Sequence, residues 1–162
     1  DKDILGQVED AFEAVAEELE ACRFRAALQK VVAVARAANR YLDSAAPWKA
    51  RKSDPQRAAT ATYVALRVID SLKILFSPFL PFSSQRLHGY LGYDGDLLGE
   101  QIVKERQENS HKHVVLTYRY DQDGDGWVPS RLPAGQALRQ PKPLFHKLDD
   151  EIVDQELARL GS

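Results

Sequence analysis

Trp48 stands directly behind Pro47 and just ahead of Lys49, Arg51 and Lys52. A flat indole beside positive charge is chemistry suited to an unpaired nucleic-acid base. Stacking contributes about 1–3 kcal/mol per base, and cations meet the flanking phosphates. Pro47 restricts the backbone before the ring, so the platform needs little ordering when a base arrives. A second reading stays open: Trp48 closes the turn between two helices as a core aromatic. Whether solvent reaches the ring separates the two.

Other candidate chemistry is weaker. Asp121-Gln122-Asp123-Gly124-Asp125-Gly126 opens like a calcium loop, but the twelfth position is Leu132, which has no carboxylate to give. A polar turn is expected there. His88, His111, His113 and His146 lack the cysteines or carboxylates that would complete a zinc set, so packing or surface roles are expected, with no metal. No Ser/His/Asp order and no glycine-rich phosphate loop stands out. Binding, not catalysis, is the expectation for these residues.

Helices must position the indole. Ile4, Val8, Ala11, Phe12, Val15 and Leu19 recur at helical spacing, predicting a first amphipathic helix over 4–20. Phe24, Leu28, Val31, Ala35, Ala38 and Leu42 predict a second over 24–43, which Pro47 ends by disfavouring helical geometry at Ala46. Asp54-Pro55 is a start signal for a third over 55–76. Ser77-Pro78 closes it, and a short helix over 83–89 follows. From Gly92 periodicity fades. Val114 to Tyr120 reads as a strand, with Gly126-Trp127-Val128 as its expected partner in a hairpin. Residues 149–160 read as a last helix, and 94–126 as an insertion in one helical domain covering 1–162.

The 162 residues suffice for one domain with a core, and the net charge of −2 argues against a generic nucleic-acid coat. Charge is nonetheless segregated. Residues 1–21 hold eight acids and one base, and 149–160 hold five acids and one base. Residues 47–73 hold six bases, Lys49, Arg51, Lys52, Arg57, Arg67 and Lys73, against two acids. One basic surface on an acidic body suits a local phosphate contact. The single cysteine, Cys22, excludes an internal disulfide, fits a reducing cytosol and is expected to pack near a helix end. Methionine is absent even at position 1, which suggests a piece of a longer or processed protein.

The blocks Asn39-Arg40-Tyr41 … Ala46-Pro47-Trp48-Lys49 and Leu75-Phe76-Ser77-Pro78-Phe79-Leu80-Pro81-Phe82-Ser83-Ser84-Gln85-Arg86-Leu87-His88 resemble the C-terminal part of methionyl-tRNA synthetase. The tail Pro143-Leu144-Phe145-His146-Lys147-Leu148-Asp149 is similar to that family's closing motif. The resemblance covers roughly residues 20–95 and 127–160. It implies a mainly α fold, the helical-bundle anticodon-binding domain of class I aminoacyl-tRNA synthetases, with a small β-hairpin insertion.

The same resemblance implies that Trp48 stacks on the first anticodon base, with Pro47 as a neighbouring contact. Lys49, Arg51 and Lys52 are then the candidates for phosphate. The implied parent is a cytoplasmic enzyme that joins methionine to its tRNA using ATP with magnesium. Both bind in a catalytic domain, and no cofactor belongs to this segment. The implied partners are the anticodon loop of a methionine-accepting tRNA and that catalytic domain, with no membrane and no DNA. Two departures matter. The family's asparagine and arginine anticodon readers fall on a helix upstream of Asp1, and the two ATP-site signatures are not in the chain. A helical protein-interaction module and the anticodon domain of another class I synthetase are the alternatives.

Overall fold

Residues 1–119, 126–145, 147 and 151–160 are described by the computed structural model. Helix α1, Lys2–Glu20, buries Ile4, Val8, Ala11, Phe12 and Val15, one stripe at helical spacing. Helix α2, Phe24–Ala45, buries Ala27, Val31, Val34 and Ala38. After the short α3, Pro47–Ala50, helix α4 runs over Pro55–Phe76 and α5 over Pro81–Tyr90. The apolar stripes of α1, α2 and α4 meet in a common core that includes Val64, Val68 and Leu75. Strands β1, Glu100–Glu108, and β2, His111–Arg119, follow, and α6 spans Glu151–Leu160. Among the described residues no helix is long and apolar enough to cross a membrane.

The mainly α fold with a small hairpin agrees with the sequence, but three expectations change. The buried stripe of α2 turns away from Phe24, which is 59% exposed, and from Leu28, which is exposed as well. Alanines and valines let α1 and α4 approach α2 closely, so the smaller side of the helix faces them. The partner of β2 is β1, not Gly126-Trp127-Val128. The two strands pair antiparallel from Glu100↔Arg119 to Glu108↔His111 across a two-residue turn, where Asn109 takes a left-handed φ of 54°. Glu100, Lys104, Glu105, Arg106 and Glu108 hid β1, because its charge density lacks the branched signature of a strand. Cys22 does not pack: its side chain is exposed. Most of the turn Asp121–Gly126 and His146 lie outside the described residues.

Cys22 instead forms the end of α1. Its φ is 56°, and Arg23 N–H donates to Glu18 O at 2.8 Å while Cys22 N–H donates to Leu19 O at 2.9 Å. This is a Schellman ending with cysteine where glycine is usual. Cys22→Gly is therefore expected to stabilise the chain by about 0.5–1 kcal/mol, glycine's greater unfolded entropy offsetting part of the relieved strain. Urea denaturation reads this as a higher midpoint; a lower midpoint would show that the thiol has a use.

Segment 127–132 straps the bundle. Trp127 lies edge-on to Phe12 with ring centroids 5.5 Å apart, and its indole N–H donates to Phe12 O at 3.0 Å. Ser130 Oγ donates to Asp70 Oδ2 at 2.6 Å, and Ser130 N–H donates to Ser71 Oγ at 2.9 Å. Tyr63 and Arg67 of α4 donate to the carbonyls of Leu132 and Ser130. Asp70 and Lys73, each with a side chain 3% exposed, form an ion pair at 2.5 Å. Tyr93 donates to the other Asp70 oxygen at 3.1 Å, and its ring lies 3.8 Å beneath the Lys73 ammonium. Burial holds the Lys73 pKa below the ordinary lysine value despite Asp70. Burial, then Asp70's charge, raises that of Tyr93. His88 stacks on Tyr93 at 4.7 Å; burial, then the Lys73 charge, depresses its pKa below 6.5.

Candidate nucleic-acid interface

The connection between α2 and α4 is built by prolines. Pro47 disfavours helix at Ala46, which turns left-handed at φ 37°, ψ 57° and ends α2 with its N–H on Leu42 O at 2.9 Å. Pro47 then serves as the first residue of α3, where its missing N–H would have had no helical partner anyway. Lys49 N–H and Arg51 N–H donate to Ala46 O and Pro47 O, closing a single turn. The sequence pattern shows the proline break but not this extra turn of helix. Asp54 restarts the chain: its carboxylate accepts from Arg57 N–H at 2.9 Å, with Pro55 next in line.

Trp48 sits on that turn and is 59% exposed. Pro47, Trp48, Arg51, Pro55, Ala58, Ala59 and Thr62 line one open groove between α3 and the first turns of α4. The small alanines and Pro55 leave the floor shallow beside the indole. Lys49, Arg51 and Lys52 are exposed around it, and among the described residues their side chains make no ion pair. The structure thus brings all five sequence-predicted residues to one end of the bundle.

The basic run divides here. Lys73 is buried with Asp70, Arg67 donates to Ser130 O at 3.2 Å, and Arg57 grips Asp1. Three of the six cations are thereby held by the protein's own acceptors, whereas Lys49, Arg51 and Lys52 are exposed and make no ion pair among the described residues.

Sequence reading missed the anchor beneath this loop. The Asp1 carboxylate accepts from Arg57 Nη1 at 2.6 Å and Nη2 at 3.0 Å, and Tyr41 Oη donates to it at 2.7 Å. Asp1, Tyr41 and Arg57 come from the starts and ends of three helices, far apart in sequence, so no local pattern announces them. Arg57 and Asp1 are 41% and 29% exposed, so the pair contributes at most about 1 kcal/mol to stability. Among the described residues no cluster of His, Cys, Asp and Glu could hold a metal ion.

The helical bundle with its two-stranded hairpin places the chain in the class of mainly α domains. Residues 1–108 match the family described as the anticodon binding domain of methionyl tRNA ligase. The methionine–tRNA ligase of Chloroflexus aggregans is 52% identical over 163 residues, covering 100% of this chain and 27% of that protein. That of Roseiflexus sp. strain RS-1 is 48% identical over 99% of the chain and 27% of its own length. The Thermomicrobium roseum ligase is 40% identical over 97% of the chain. The chain belongs to the anticodon-binding-domain family of methionyl tRNA ligase. It spans about a quarter (27%) of the length of these curated relatives.

Proposed function

We propose that this chain is the anticodon-reading part of a methionine–tRNA ligase, with Trp48 stacking on an unpaired base of the anticodon loop. One observation carries the reading: the indole is 59% exposed at the mouth of a groove, on a turn whose backbone two neighbouring prolines and an N-cap hold. Pro47 borders the stacked base. Lys49, Arg51 and Lys52 face the phosphates on either side, supplying affinity and not base identity. The partner is the anticodon loop of a methionine-accepting tRNA, in the cytoplasm. Attachment of methionine takes place in the catalytic part of the ligase, beyond this segment. That part would hold ATP with magnesium, which would supply the chemistry of amino-acid activation, while the residues here hold and orient the tRNA.

Salt dependence tests the electrostatic half. Replacing Lys49, Arg51 and Lys52 together by alanine in the whole ligase is expected to flatten log affinity against log salt by about 2, near 0.7 for each single-strand phosphate no longer neutralised. Filter binding of methionine-accepting tRNA across a range of potassium chloride measures it. An unchanged slope would show that these cations never meet phosphate. No specific tRNA binding by the unaltered ligase domain would favour a protein-docking module instead.

A further inference from the structure

We infer that Asp1, Tyr41 and Arg57 are positioning residues that set the direction of the Trp48 ring; the inference rests on the stacking role proposed above. Tyr41 lies near the end of α2 and Arg57 in the first turn of α4, and between them runs the segment that carries α3 and Trp48. A single carboxylate from the start of α1 holds both stems, one through a phenol at 2.7 Å and the other through two guanidinium bonds at 2.6 and 3.0 Å. Arg57 is bound twice, because its backbone N–H also donates to Asp54 Oδ1 at 2.9 Å. The stem of α4 is thus tied to α1 by the Arg57 side chain and to the incoming loop by the Arg57 backbone.

The indole's surroundings come from both stems. Pro47 and Arg51 belong to the loop, whereas Pro55, Ala58, Ala59 and Thr62 belong to α4. If the end of α2 drifts from the start of α4, the groove beside the ring changes shape. Ala46 makes the connection sensitive, since it already takes a left-handed backbone that alanine adopts reluctantly. Holding the stems before RNA arrives removes an ordering cost from the binding step. The geometry of the anchor suits that task. Its bonds are short and convergent, yet it is too exposed to stabilise the fold much.

The test uses the whole ligase carrying this segment, labelled with 5-fluorotryptophan, with the Trp48 resonance assigned by Trp48→Phe. Tyr41→Phe removes one hydroxyl and Arg57→Ala the two-bond arm; both are expected to shift or broaden the Trp48 fluorine signal without any RNA. The KM for tRNA should rise about 3-fold in Tyr41→Phe and about 10-fold in Arg57→Ala, the range of coupling between residues linked through a backbone shift. Methionine activation should keep its kcat, and Arg57→Lys should recover part of the loss. In a Trp48→Ala background the Arg57→Ala loss should largely vanish, as binding of an anticodon stem–loop RNA would show. An unmoved fluorine signal overturns the positioning role even if Trp48→Ala is damaging. Full additivity with Trp48→Ala also overturns it, because Arg57 would then be acting on the RNA directly. If the signal moves but Trp48→Ala leaves RNA binding intact, the stacking role itself has failed and the positioning role falls with it.

Discussion

Trp48→Ala in the whole ligase is expected to lower kcat/KM for tRNA charging by about 10- to 100-fold, the loss of one base stack. Amino-acid activation, followed as methionine-dependent pyrophosphate exchange, should stay within about 2-fold, because in the proposed role the indole acts only on the RNA. The structure makes the split sharp. A ring 59% exposed fills no cavity, so its removal should shift stability by no more than about 0.5 kcal/mol. Trp48→Phe keeps a π face and should recover part of the loss. Equal loss of charging and activation, or a large fall in melting temperature, would assign the ring a structural task instead.

The helices and the breaks between them were legible because their causes are local. The 3.6-residue recurrence of Val8, Phe12 and Val15 needs no partner to be visible, and Pro47 and Asp54-Pro55 act on their own backbone. What escaped depends on distant residues. The strand Glu100–Glu108 exists through its register with β2, so its own charged sequence does not declare it. Trp127 reads locally as a hairpin residue, yet it packs on Phe12 at the other end of the chain. The rotation of α2 away from Phe24 and Leu28 follows from how closely small residues allow α1 and α4 to approach. At the site the same division holds. Trp48, Lys49, Arg51 and Lys52 could be named from type and spacing, whereas the Asp1 anchor required three helices to meet. The fate of Arg57, Arg67 and Lys73 likewise required the fold, since composition counts a buried cation and a free one alike.

Asp70→Ala is expected to cost about 3–5 kcal/mol, a large share of the roughly 5–15 kcal/mol that holds a domain of this kind together. The reason lies in what remains. Asp70 receives Lys73, Tyr93 and Ser130 at once, and Lys73 is only 3% exposed. Alanine would leave an ammonium buried without its counter-charge and two hydroxyls without their acceptor, in a site that water reaches poorly. Ser130 would also lose one of the bonds that pin the strap 127–132 to α4, loosening Trp127 from Phe12. Asp70→Asn keeps the shape and one acceptor, so its cost should be smaller, near 2–4 kcal/mol. The decisive variant joins Asp70→Leu to Lys73→Met. With both charges gone the desolvation cost of Lys73 disappears, and the pair should be more stable than Asp70→Ala by at least about 1 kcal/mol. Urea denaturation followed by circular dichroism orders the variants. If Asp70→Ala unfolds within about 1 kcal/mol of the unaltered chain, Lys73 has found water, and the buried network is not what fastens the strap to the bundle.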